Sequence, residues 1–357
     1  MAEEQAPKMP SALTRVIKFC DAQCLPVGLV FGTLFGAAVP SLGVYASKGG
    51  WVSKACVVII FLIAGLKLKT DEAKQAVAAY KGIVVGLVSM LLVTSMAGSA
   101  FTRVLPLSPP EFKLGLILFW CMPCTINSGC VMTKQAGGSF SLALLLTVLG
   151  NSIGVLTAPA VLSVFADVGD KGVRLDVGDM MFKLALSVLL PLLVGKCLQE
   201  VPWREHAVRK FVGANNKRLT FASNFLIMII PWMKISQTVA DGSFGKANVL
   251  DMGWMCLVGA IVHVGFLALN LFIVRAIALE EELQKAVVFV CSSKTLPVAL
   301  TVLTLLPEES TGDAGLVAIP CFMSHLSQIV MDGFLATHWH TRSQQAQSEL
   351  SGGAAQD

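Results

Sequence analysis

The sequence predicts an all-α polytopic membrane protein, with ten transmembrane helices arranged as two halves of five. Three observations predict it. The 357-residue chain is 55% hydrophobic and only 14% charged, with mean hydropathy +0.71, whereas soluble domains carry roughly a quarter charged residues. Apolar runs of about 20 residues, the length that crosses a bilayer, recur along it. The fourth run of each half is interrupted near mid-depth by a proline and small polar residues.

The first run, about Leu25–Tyr45, stops at Lys48-Gly49-Gly50, and the second, about Trp51–Leu66, at Lys67 and Lys69. The third, about Ala76–Phe101, stops at Arg103 and Pro106. The fourth, about Leu114–Thr133, ends on Lys134 and Gly137-Gly138, and the fifth, about Phe140–Phe165, ends before Asp167. The second series is about Met180–Leu198, Leu219–Val239, Val249–Leu279, Ala286–Leu306 and Gly315–Trp339, again divided by charged or Gly/Pro-rich breaks. A ten-helix domain over 25–339 follows, with repeat one at about 25–165 and repeat two at about 176–339. It is flanked by a cytoplasmic segment 1–24 and by a tail, 340–357, whose Ser, Gln, Gly and Ala predict disorder. The first 25 residues lack an apolar h-region, and Glu3, Glu4 and Asp21 argue against a transit peptide, so a plasma-membrane or Golgi location is expected.

Lys and Arg orient the runs. With the N-terminus inside, 17 basic residues fall on the inner side, including Lys67, Lys134 and the group from Lys196 to Arg218, against nine outside, such as Lys54 and Lys234. The positive-inside rule therefore predicts both termini in the cytoplasm. The net charge of +4 is modest and spread over loops, so no nucleic-acid partner is expected; the lipid bilayer is the expected surrounding.

Five helices per half is an odd number, so two related halves must lie in opposite orientations. The halves echo each other in Phe61-Leu62-Ile63 of the second run and Phe225-Leu226-Ile227 of the seventh. The fourth run carries Pro123-Cys124-Thr125-Ile126-Asn127-Ser128-Gly129; the ninth carries Cys291-Ser292-Ser293-Lys294-Thr295-Leu296-Pro297. A proline removes a backbone donor and frees the carbonyl one turn earlier. Hydroxyls can satisfy such carbonyls or face an ion, and unwound helix ends present dipoles to a small ion or anionic group. One such helix reads as packing; two at matching places point to a binding site.

Lys294 is the most informative residue. A lysine near the bilayer centre costs roughly 3 kcal/mol or more and by default marks function or a buried partner. It reads as a fixed positive charge facing an anion, as a proton-switched cation, or as a carbonyl-bonded lysine. His325, Gln328 and Asp332 stand at i, i+3 and i+7 on one face of the tenth run, able to line the same space or to bond between helices. Asn151, Asn224, His263 and Asn270 are polar residues in apolar runs, each read alone as a packing hydrogen bond. Most of the ten cysteines lie in apolar runs and read as small hydrophobes; Cys121-Met-Pro-Cys124 lacks the βαβ setting of a redox motif. No phosphate-binding loop, His-Glu-x-x-His pair or catalytic order is present, so an enzyme is not expected and no cofactor is called for.

At these interrupted runs the sequence resembles the bile acid/sodium symporter family, in its sodium/bile acid cotransporter 7-like branch. The stretches are Phe61-Leu-Ile-Ala-Gly-Leu-Lys-Leu-Lys69, Met122-Pro-Cys-Thr-Ile-Asn-Ser128 through Gln135-Ala-Gly-Gly138, and Val290-Cys-Ser-Ser-Lys-Thr-Leu296. The resemblance implies two inverted five-helix repeats. A core of helices 3–5 and 8–10 would hold helices 4 and 9 broken and crossing, beside a panel of helices 1, 2, 6 and 7. It implies secondary transport of a small organic anion, usually driven by sodium, with Na+ or H+ as coupling ion. Substrate or ion ligands would come from Thr125, Asn127, Ser128, Thr147, Ser292, Ser293, Lys294, Thr295, His325 and Gln328, with sodium at Asn127, Ser128 and Thr147. The helix 4 pair falls on Asn127 and Ser128 by type, or on Gly129 and Cys130 by strict spacing. On helix 9 the family's Glu and Gln fall on Val290 and Lys294, a change of two charge units at a cation site, which puts sodium coupling in doubt. The branch's association with calcium homeostasis implies an alternative, a membrane regulator without a transport cycle.

Overall fold

The computed structural model describes residues 24–68, 78–165, 176–201, 207–242, 249–306 and 311–353, and all regular structure among them is helical. The helices are α1 Cys24–Ala38, α2 Pro40–Ser47, α3 Trp51–Lys67, α4 Tyr80–Val104, α5 Pro110–Cys121, α6 Ser128–Gln135 and α7 Phe140–Phe165. There follow α8 Val177–Glu200, α9 Ala207–Ala214, α10 Asn216–Ala240, α11 Val249–Ala276, α12 Glu281–Ser292, α13 Leu296–Leu303 and α14 Ala314–Gly353.

Seven of these spans are long and apolar enough to cross a membrane, and eight if α1 and α2, bent by 99° before Pro40, count as one. Of the ten expected runs, two fall outside that count. The second is α3, only 17 residues long, and the fourth is split between α5 and α6. The final helix differs from expectation: it continues to Gly353, through the stretch read as a disordered tail. The stretch from Gln344 to Leu350 is polar but holds no Gly or Pro, and Gln, Ala, Glu and Leu are good helix formers that extend a helix already nucleated within the bundle. The N-terminal segment up to residue 23 lies outside the described residues.

Large apolar side chains such as Phe31, Phe272 and Phe334 face outward, as they do where lipid replaces water around a bundle. The helices pack as two groups. In one, α1 and α2 lie on α10, while α3 lies on α8 and α10. In the other, α4 to α7 pack with one another and with α11 to α14, the main seams being α11 on α14, α5 on α14, α11 on α12 and α7 on α12. The α3–α8 seam is a backbone approach: a Cβ on Gly65 would strike the Leu192 carbonyl, and one on Gly195 the Leu62 carbonyl. Small residues are what allow membrane helices to close so far.

Two π-helical turns interrupt otherwise α-helical spans, Ser89–Val93 in α4 and Ala185–Leu189 in α8, the second just before Pro191. Such turns widen the helix and release carbonyls from the ordinary ladder. In α4 the released Met90 carbonyl accepts from Thr94 Oγ1 at 3.1 Å and from Ser95 Oγ at 3.2 Å.

Candidate functional site

The two interrupted runs meet inside the second group. Pro123 and the following residues break the fourth run between α5 and α6; Ser293 to Thr295 break the ninth between α12 and α13, with Pro297 in the first turn of α13, where its missing N–H costs nothing. The breaks satisfy each other. The Thr295 N–H donates to the Pro123 carbonyl at 2.9 Å, and the hydroxyls of Thr125 and Ser293 lie 3.2 Å apart. Thr125 Oγ1 also accepts from the Gly129 N–H at 3.0 Å, covering one of the donors a helix start leaves free. Ser128 is buried in that first turn.

Around this crossover the expected residues divide. Lys294 is wholly buried. Its Nζ donates to the Met90 carbonyl at 2.8 Å and to Ser95 Oγ at 3.0 Å, and stands 5.9 Å from the centre of the Phe266 ring. The backbone of Lys294 is clamped by one amide: its N–H donates to Gln328 Oε1 at 3.0 Å, and its carbonyl accepts from Gln328 Nε2 at 2.7 Å. Gln328 in turn touches His325 Nδ1 at 3.0 Å. Two of the three polar residues on that face of α14 thus serve Lys294, while Asp332 pairs with His263 at 2.8 Å. Ser292 accepts from Asn270 Nδ2 at 2.9 Å, and Asn270 Oδ1 accepts from Ser89.

Asn127 points the other way. Its Nδ2 donates to Ser223 Oγ at 3.1 Å and Asn224 Oδ1 at 3.0 Å, both on α10 in the other helix group. Thr147 is turned to its own helix and to Cys130: its hydroxyl bonds the Ala143 carbonyl at 2.8 Å and lies 3.4 Å from Cys130 Sγ. Asn151 binds the Cys124 carbonyl beside the break, at 3.3 Å. The thiols of Cys121 and Cys124 are free and buried. Among the described residues, no cluster of three or more His, Cys, Asp or Glu is arranged to hold a metal ion.

Three spaces line up along α10. Beside Thr220 lies a cavity of about 710 Å³, bordered by Lys67, Asn127 and Lys134. Beside Ile227 lies a gap of about 10 Å³ at the crossover, lined by Thr125, Asn127, Ser128, Thr295 and His325, with room for about one water. Beside Ile230 and Lys234 lies a cavity of about 210 Å³, which Lys54 also lines. The Thr295 hydroxyl, on the middle gap, is buried with no hydrogen-bond partner.

The sequence reading missed the Met90 carbonyl and Ser95. The signal was a run of small polar residues at Ser89, Thr94, Ser95, Ser99 and Thr102, all buried in an otherwise apolar span. It also set Lys67 and Lys134 aside as orienting charges.

Comparison with known proteins adds the following. The model of the SBF-like CPA transporter family (DUF4137) matches residues 23–341. "Probable sodium/metabolite cotransporter BASS4, chloroplastic" of Oryza sativa subsp. indica is 32% identical over 346 residues, covering 92% of this chain and 78% of that protein. Its Arabidopsis thaliana counterpart is 31% identical over 344 residues, covering 94% and 76%. "Sodium/bile acid cotransporter 7" of Danio rerio is 24% identical over 324 residues, covering 87% and 91%.

Proposed function

Given that the chain belongs to the SBF-like CPA transporter family, the family of the bile acid/sodium symporters, we propose that it is a secondary transporter of a small organic anion. The observation that carries this reading is the crossover itself. Two broken helices bond to each other through Thr295, Pro123, Thr125 and Ser293 beside a cavity that reaches the first helix group, the arrangement in which transporters place their cargo. The names of the relatives are those of cotransporters, and the calcium-regulator alternative finds no support in them.

In this reading the short α3 and the split pair α5–α6 also span, which makes ten spans in two inverted repeats. The packing supports it: the first span lies on the seventh and the sixth on the second, pairs that exchange when the halves exchange. The group of α1, α2, α3, α8, α9 and α10 is the panel and the rest the core, moving against each other as elevator or rocker. The basic-residue asymmetry puts both termini in the cytoplasm, so the larger cavity opens inward.

Lys294 is the coupling cation, built into the chain. Its ammonium occupies a carbonyl and a hydroxyl, Met90 O and Ser95 Oγ, the kind of oxygens that hold a small cation, and Val290 beside it brings no carboxylate. Transport is then sodium-independent or proton-linked, and Asn127, Ser128 and Thr147 serve the cargo and the crossover rather than a sodium ion. Uptake of labelled organic anions by proteoliposomes should persist when sodium is replaced by choline; its disappearance would restore sodium coupling.

A further inference from the structure

The larger cavity contains a pair of ammonium groups that the crossover does not use. Lys67, half-buried at the end of α3, donates to Thr220 Oγ1 at 2.7 Å. Lys134 enters from α6, its Nζ 5.8 Å from the centre of the Phe140 ring. Among the described residues, neither is in an ion pair with a carboxylate. At about 710 Å³ the space falls within the range of roughly 300–1,000 Å³ that encloses small organic ligands. Two like charges facing a partly apolar hollow attract an anion and leave its body on a hydrophobic wall, here Phe140 and Leu144. One lysine belongs to each helix group, so an anion held by both ties the groups together.

The smaller cavity also carries two lysines, here both from the first helix group. Lys54 and Lys234 line it with Gln237 and Thr301. Lys54 and Lys67 sit on one helix, roughly 20 Å apart at about 1.5 Å per residue, and the crossover gap stands between the two cavities in the order of residues along α10. At about 210 Å³ this second space is below the usual ligand range, as expected of the closed side.

We propose that Lys67 and Lys134 anchor the cargo, taking the carboxylate, sulfonate or sulfate head of an amphipathic organic anion whose apolar body rests on Phe140 and Leu144. Lys54 and Lys234 receive the same head when the crossover opens to the opposite side. The proposal rests on the transport reading above and names the chemistry of its substrate.

The test is binding of naphthalene-2-sulfonate, against the neutral naphthalene-2-sulfonamide, to the full chain in nanodiscs of phosphatidylcholine. The sulfonate should bind and the sulfonamide should not. Lys67→Gln and Lys134→Gln should each weaken binding about tenfold, the loss of one charge-assisted bond, with the unliganded unfolding temperature of each variant as the check on folding. Equal binding of both probes, or unchanged affinity in both variants, overturns the proposal. So does loss of sulfonate binding on adding phosphatidylglycerol, because lipid head groups would then own the lysines. Sulfonate binding without uptake into liposomes would defeat the transport reading and leave the anion site standing. Uptake that survives both substitutions would defeat the site and leave transport standing.

Discussion

The two broken helices look alike in sequence and are used differently. In the ninth span 94% of the apolar window is buried, against 28% in α8, and its central lysine turns inward to the π turn of α4. In the fourth run the central asparagine is half-buried and reaches across to α10 in the other helix group. One break is fastened within its own group; the other is the handhold between groups. A break in a membrane helix must satisfy its freed backbone somewhere, and here each satisfies the other through Thr295 and Pro123. That mutual bonding leaves both central side chains at liberty for separate tasks.

The division makes graded demands on stability. Lys294→Ala should be the most damaging change. It empties a fully buried site and removes the bonds from the ammonium to the Met90 carbonyl and Ser95, costing about 3 kcal/mol or more, to be read from the unfolding temperature of purified protein. Gln328→Leu should follow at about 2 kcal/mol, because it orphans both the N–H and the carbonyl of Lys294. Asn127→Ala should cost only about 1 kcal/mol, the asparagine being half-buried and bordering the cavity, yet cut uptake by a larger factor than Gln328→Leu does. Should Asn127→Ala destabilise as much as Lys294→Ala, the two breaks are fastened alike and the contrast collapses.

Much of the fold was legible in the sequence because bilayer thickness imposes a length on apolar runs, and seven described helices, or eight with the bent first pair, are long and apolar enough to cross. The end of α14 was not, because polar composition reports on solvation and not on whether a helix already started will stop. For the site, the depth of Lys294 and the proline in each break were readable. The direction of its side chain was not, since it depends on a carbonyl released by a π turn, and no residue type announces a π turn. Lys67 and Lys134 were hidden differently: a rule about topology had already explained them, and only the cavity shows that an orienting charge can also line an internal space.

The last helix sets a scale for motion. Its 40 residues amount to about 60 Å at roughly 1.5 Å per residue, twice the roughly 30 Å of a hydrocarbon layer, and its Gln328 grips the backbone of Lys294. Whatever tilts the crossover therefore swings a rod projecting well beyond the lipid. A rotation of about 10° at the grip displaces a point about 30 Å away by roughly 5 Å, so a spin label near the tip would act as the pointer of a gauge whose needle is pivoted at the lysine.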